Sequence, residues 1–189
     1  MSEEQRQIVI RHMMACAIHP GGKIHATENA DDVLEELNKS LGFNVKEEPD
    51  KVTSVLEAAI VSHDAIDVEC ALHITYTVGF RPVFMPLLIT MLELPWHHSH
   101  EGIVDTFQHL RAPEPVEALY RTALAEHLYL AYDAFFGLAR RCTYALAYIG
   151  TAEAYTKLHV LANCDNPIIA AHAQEHIDYR EEEKLRKDA

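Results

Sequence analysis

A pair of amphipathic helices recurs from about residue 65 to the C-terminus, and a chain built this way has few folds open to it. Each unit carries an apolar face that only its neighbours can cover, so the units must stack into an all-α solenoid with one long ligand-facing surface. Three stretches set the register: "ECALHITYTVGFRPVF", "EGIVDTFQHLRAPEPVE" and "RRCTYALAYIGTAEAY". Ala71, Ile103 and Cys142 share one column, and Leu72, Val104 and Thr143 share the next. Val78, Leu110 and Ile149 close the first helix of each pair. Gly79, Pro113 and Gly150 break it, and Val83, Val116 and Ala154 open the second helix. A final half unit opens at "DNP", where Asp165 or Asn166 can cap a helix that starts at Pro167 and places Ala173 and Ile177 four apart on one face. The charged end, "YREEEKLRKDA", reads as a solvated cap.

The motif over residues 145 to 158, "ALAYIG" followed by "TAEAYTKL", resembles the HEAT repeat family. The likeness is closest to the short bacterial units, related to the pigment-lyase HEAT-like repeats, whose first helix ends "ALxxIG" and whose second begins "TxEAxxxL". The resemblance runs over roughly residues 57 to 180. The chain departs from the family pattern in lacking its usual Asp in the turn and Arg in the second helix. The resemblance implies a HEAT-like alpha-solenoid of stacked antiparallel helix pairs and a tendency to bind other proteins.

With 189 residues, 49% of them hydrophobic, the chain can bury one continuous core, and a single all-helical domain spanning 1–189 is expected. Residues 1–50 do not follow the repeat. "EEQRQIVIRHMMACAI" spaces Ile8, Met13 and Cys16 on one face, "HPGGK" breaks the chain, and "NADDVLEELNKSLG" gives a second amphipathic helix ending at Gly42. This pair reads as a non-repeat N-terminal helical cap or as a binding element, with the HEAT-like repeats occupying 51–189. Asp50 starts the first helix of the stack, "KVTSVLEAAIVSHDA". The longest apolar run, "VFMPLLITMLEL", is too short to span a bilayer, contains Pro86, and reads as a buried second helix. The start of the chain lacks a secretory pattern, so a cytoplasmic protein with no membrane partner is expected. Cys16, Cys70, Cys142 and Cys164 contain no Cys-x-x-Cys and read as reduced core thiols.

The formal net charge of −13 is uneven: between residues 51 and 110 only Lys51 and Arg81 are basic. A nucleic-acid binder needs the opposite balance, so nucleic acid is not an expected ligand. The acidity either keeps the chain soluble or selects a basic partner protein. From Val83 to Val116 is 33 positions and from Val116 to Ala154 is 38, so the segment "EHLYLAYDAFF" is extra chain. Its Tyr129, Tyr132, Asp133, Phe135 and Phe136 either form a binding hot spot or fold back to fill a widened gap between helices.

Thirteen histidines raise the question of metal chemistry. In "WHHSHEG", His97, His98, His100 and Glu101 are the candidate ligands, with His97 four before Glu101 as if on one helical face. This His-Glu pair is similar to those of deoxyhypusine hydroxylase, a HEAT enzyme, but the corresponding positions of the neighbouring units are Val68-Glu69 and Ala139-Arg140, so the symmetric ligand set is missing. "HAQEH" at His172 to His176 matches a zinc-protease pattern in a terminal helix that has no third ligand near it. "SHD" at Ser62, His63 and Asp64 places neighbours about 100° apart on a helix, which forms no relay. No catalytic constellation, metal or cofactor is expected. The sequence therefore favours a protein-binding scaffold, in sharper form a bacterial immunity-type protein that occludes a basic toxin, because small acidic HEAT-like bacterial proteins look like several immunity proteins. Glu69, Trp96, Glu101, Asp105, Tyr129, Tyr132 and Asp133 are the partner-binding candidates. The alternative is a metal-dependent or pigment-lyase-like HEAT enzyme.

Overall fold

Helix ends are written into this chain by short polar residues and glycines. A computed structural model describes residues 1–16 and 28–188, and among the described residues there are ten α-helices, three short 3-10 turns and no strand. The helices are α1 (Glu3–Cys16), α2 (Ala30–Leu41), α3 (Val52–Ser62), α4 (Ala65–Val78), α5 (Met85–Leu92), α6 (His100–Leu110), α7 (Val116–Leu124), α8 (Gly137–Ile149), α9 (Ala152–Leu161) and α10 (Pro167–Asp188). The break expected at "HPGGK" lies outside the described residues.

The turn between α8 and α9 shows how little chain a stop and a restart need. Ile149 is the last helical residue, Gly150 takes the left-handed conformation at φ 71°, and its N–H donates to the Leu146 carbonyl at 3.1 Å. Thr151 then accepts the Ala154 N–H on its hydroxyl at 3.1 Å and starts α9. Asn29 and Gly42 bracket α2 in the same manner, and Asp64 caps α4 by accepting the Ile66 N–H at 2.9 Å. At the start of α10 the cap is Asn166, whose Oδ1 accepts the N–H groups of Ile168 and Ile169. Asn166→Ala is therefore expected to cost about 1 kcal/mol. The neighbouring Asp165→Ala is expected to stay within about 0.5 kcal/mol. Paired urea titrations measure both, and equal losses would contradict the assignment of the cap.

The aligned columns are core. Ala71, Ile103, Cys142, Leu72, Val104 and Thr143 are all buried, and the first helices of the three units end at Val78, Leu110 and Ile149. One stop differs from expectation: α6 is closed by Arg111 in the left-handed region at φ 53°, two residues before Pro113. The Arg111 guanidinium lies 5.1 Å from the centre of the Tyr148 ring, a contact that offsets part of the strain. On α1 the buried face is Ile8, Val9 and His12, while Met13 is half-buried and Cys16 exposed. The histidine takes an inward place because its Nδ1 meets Nε2 of His73 at 2.8 Å. Of the four free thiols, Cys70 and Cys142 are buried as expected, and Cys164 is half-buried.

The packing gathers into two compact units, Met1–Leu87 and Leu88–Ala189, divided within α5. In the first, α1 packs on both α2 and α4, and α3 packs on α4. The N-terminal helices thus share a core with the first repeat-like stretch. Arg6 fixes this arrangement by donating from Nε to the buried Asp67 at 2.7 Å while also pairing with Asp64. In the second unit α8 is central. It packs on α6, α7, α9 and α10, while α9 also packs on α7 and α10, around Phe107, Leu119, Leu146 and Leu158.

Candidate functional site

Between α5 and α6 the chain makes a turn that two histidines hold. His97 precedes α6 and is fully buried. Its Nε2 is 2.7 Å from the Met91 carbonyl, which can only accept, and its Nδ1 is 3.1 Å from the Ser99 N–H, which can only donate. The ring is therefore neutral with its proton on Nε2. His100, the first residue of α6, repeats this tautomer: Nε2–H donates to the Leu94 carbonyl at 2.9 Å, and Nδ1 accepts the Tyr129 hydroxyl at 3.0 Å. The two rings stack with centroids 4.1 Å apart, and His127 adds a third ring 4.2 Å from His100. Burial, followed by the neighbouring His97 and His127, pushes the His100 pKa down to about 3, while burial raises the Tyr129 phenol to about 12.

His97 is occupied with backbone on both nitrogens, and His100 with the Leu94 carbonyl and the Tyr129 hydroxyl. The spacing of His97 and Glu101 does not place them on one helical face, because His97 lies outside the helix. Glu101 instead reaches Arg141 at 3.4 Å, and His98 is exposed against the Tyr129 ring at 4.7 Å. No group of three His, Cys, Asp or Glu side chains is placed to hold a metal ion among the described residues. In the "HAQEH" stretch, His172 donates from Nε2 to the Phe135 carbonyl at 2.9 Å and His176 packs edge-on against Tyr144. Ser62 donates to the Ala59 carbonyl at 2.9 Å, and Asp64 caps a helix, so neither joins a proton relay.

The remaining candidates divide between the two units. Glu69 is exposed on α4 of the first. In the second, Trp96 is half-buried edge-on to His97. Asp105 receives both its carboxylate oxygens' hydrogen bonds from Arg141, at 2.9 and 3.0 Å. With Glu101 on the same guanidinium, this acidic pair is largely compensated, a partner that lies 36 residues away and went unnoticed in the sequence.

Residues 126–136 settle the two readings of the inserted aromatics one residue at a time. Tyr129 folds back onto the histidines. Leu128, Tyr132 and Phe135 do not: they are 94%, 84% and 78% exposed. Asp133 shapes the segment by accepting the N–H groups of Phe135 and Gly137, so its carboxylate serves the turn that leads into α8. Phe136 holds the left-handed conformation at φ 52° just before that helix. No helix among the described residues is long and apolar enough to cross a membrane. Compared with known proteins, the chain matches no family model, no curated protein and no solved structure.

Proposed function

We propose that this chain is a protein-binding helical scaffold of the HEAT-like solenoid type, which docks a basic partner protein. Its sharper form is an immunity-type protein that occludes a toxin. The observation that carries the reading is the apolar trio Leu128, Tyr132 and Phe135, presented to solvent on a segment held in shape by Asp133, Tyr129 and His172. Large apolar side chains grouped on a constrained surface segment mark interaction sites, and aromatic anchors dominate binding energy where they occur. Two further observations support it. α6, α8 and α10 follow one another in contact, as do α7 and α9, the neighbour pattern of a two-layered stack. The net charge of −13 favours a basic partner and speeds its encounter. Since Arg141 compensates Glu101 and Asp105, the weight of the surface moves from that acidic pair to the exposed segment.

The test is capture of partners from the native cell by wild-type protein and by a Leu128→Ser/Tyr132→Ser/Phe135→Ser variant, with metals quantified in the same eluate. A single basic protein in stoichiometric amount is expected on the wild type. The triple variant is expected to lose about 100-fold or more in affinity, since two or three anchors are removed. Higher salt should slow association. Undiminished binding by the triple variant would overturn the surface assignment, and an eluate carrying metal and no protein partner would favour an enzyme instead.

A further inference from the structure

Beside the exposed segment lies a half-open cavity of about 770 Å³, bordered by the end of α7, residues 125–136, the starts of α8 and α10, and the turn after α9. This volume falls in the range that holds small organic ligands, roughly 300–1,000 Å³. Leucines, Phe136, Val160 and Ile169 make up its apolar walls. Its charged lining is of one sign: Glu126, Asp133 and Asp165 are present, and neither lysine nor arginine is among the described residues that line it. Asp133 is spent on backbone N–H groups, which leaves Glu126 and Asp165, both exposed, as the carboxylates free to meet a cation.

One wall residue has no structural task of this kind. His127 is only 9% exposed, and neither ring nitrogen has a hydrogen-bond partner in the protein. The two other buried imidazoles of this cluster have both nitrogens satisfied, by Met91 and Ser99 for His97 and by Leu94 and Tyr129 for His100. Buried polar groups are almost always paired, because an unpaired one forfeits its bonds to water, so an orphaned ring of this sort stands out. His127, with Thr122, Ala125 and Glu126, also borders a second recess of about 310 Å³.

The geometry points to a small-molecule site in this cavity for an amphipathic cation, an amine carried on an aromatic or otherwise apolar body, with His127 as its polar contact. The apolar body would lie among the leucines and Phe136, and the ammonium would face Glu126 and Asp165. His127, as a neutral imidazole, offers one donor and one acceptor; both nitrogens are buried in the present ring position, so a ligand would have to turn the ring about Cβ–Cγ to meet one of them. Anions are disfavoured by the same carboxylates. This site goes beyond protein docking, and it rests on the cavity and on His127; of the exposed trio, Leu128 alone borders it.

Matched probes test it: tryptamine and phenethylamine against indole-3-acetate and phenylacetate, titrated into the full chain with histidine-labelled NMR detection. Cys164 lines the cavity, and its alkylation by iodoacetamide supplies a second readout. The amines are expected to bind about tenfold or more tightly than the carboxylates, a charge preference of the size exposed pairs provide. They should shift the His127 ring signals and shield Cys164. Asp165→Asn, an exposed change that leaves the fold intact, should narrow the preference, and His127→Leu should weaken amine binding about fivefold or more, the loss of one hydrogen bond. Equal binding of amines and carboxylates, no probe shielding Cys164, or full affinity in His127→Leu would each overturn the assignment. So would a cavity shielded only when a partner protein is added, since its occupant would then be a partner side chain.

Discussion

His100→Ala is expected to destabilise the second unit by about 4 kcal/mol, the combined effect of an emptied ring-sized space and two half-buried groups left without partners. The ring is wholly buried, stacked on His97 and tilted against His127, so its removal opens a ring-sized space between them. It also strands the Leu94 carbonyl and the Tyr129 hydroxyl. Folded domains are stable by only about 5–15 kcal/mol, so this one substitution removes a large share. His98→Ala, at the exposed ring next to it, is expected to stay within about 0.5 kcal/mol. Tyr129→Phe should fall between, at about 1 kcal/mol, because it deletes a single donor. Urea unfolding of the three variants checks the order, and a near-neutral His100→Ala would remove the structural role assigned to the ring.

The second large effect is loss of stability in mild acid, between pH 6.5 and 4.5. Burial holds His100 at a pKa of about 3 and His73 at about 4, and it lowers His12, His97, His127 and His176 in the same direction. In the unfolded chain these imidazoles titrate near 6.5. Their folded pKa values are the lower ones, so the unfolded state takes up protons first as pH falls. The stability they contribute is complete above about pH 6.5 and is lost progressively as pH drops toward the folded values. Each histidine kept neutral by folding adds about 1.4 kcal/mol of loss per pH unit across that window. The half-buried His73 contributes less than the fully buried His100, because water reaches it and screens the effect. Carboxylates add little above about pH 5.5, since in the unfolded chain they titrate at about pH 4, so the fall from pH 7.5 to 6.0 reports the histidines. Unfolding midpoints measured at pH 7.5, 6.0 and 5.0 are expected to fall steeply, and His100→Gln should reduce the slope by the share of one proton. A flat profile over this range would contradict the burial of the cluster.

Much of the helical architecture could be seen in the sequence, because the residues that end helices act locally. Gly150 and Thr151 stop one helix and start the next through contacts within four residues, and Asn166 caps α10 through its near neighbours. The buried columns followed from spacing alone. The stop at Arg111 was hidden, since an arginine in the left-handed region leaves no compositional mark and Pro113 drew attention instead. The division into two units was hidden too, because it depends on α1 meeting α4 some sixty residues later, through Arg6–Asp67 and His12–His73. The site was less legible than the fold. "WHHSHEG" looks like ligand chemistry only if its residues share a helix, and His97 does not. Arg141 pairs with Asp105 across 36 residues of chain and reaches Glu101 as well. His127 gave no signal at all, since an unsatisfied ring is defined by what surrounds it.

The link from His100 to Tyr129 also makes a statement about descent. One group gives a proton and the other receives it, so neither position carries its meaning alone. In homologous chains the two should change together: where residue 100 becomes apolar, residue 129 should lose its hydroxyl, and where the hydroxyl persists an acceptor should persist opposite it. Such paired replacement would trace the internal wiring of the turn through lineages whose surfaces have otherwise drifted apart, and it would mark out kin that overall identity no longer reveals.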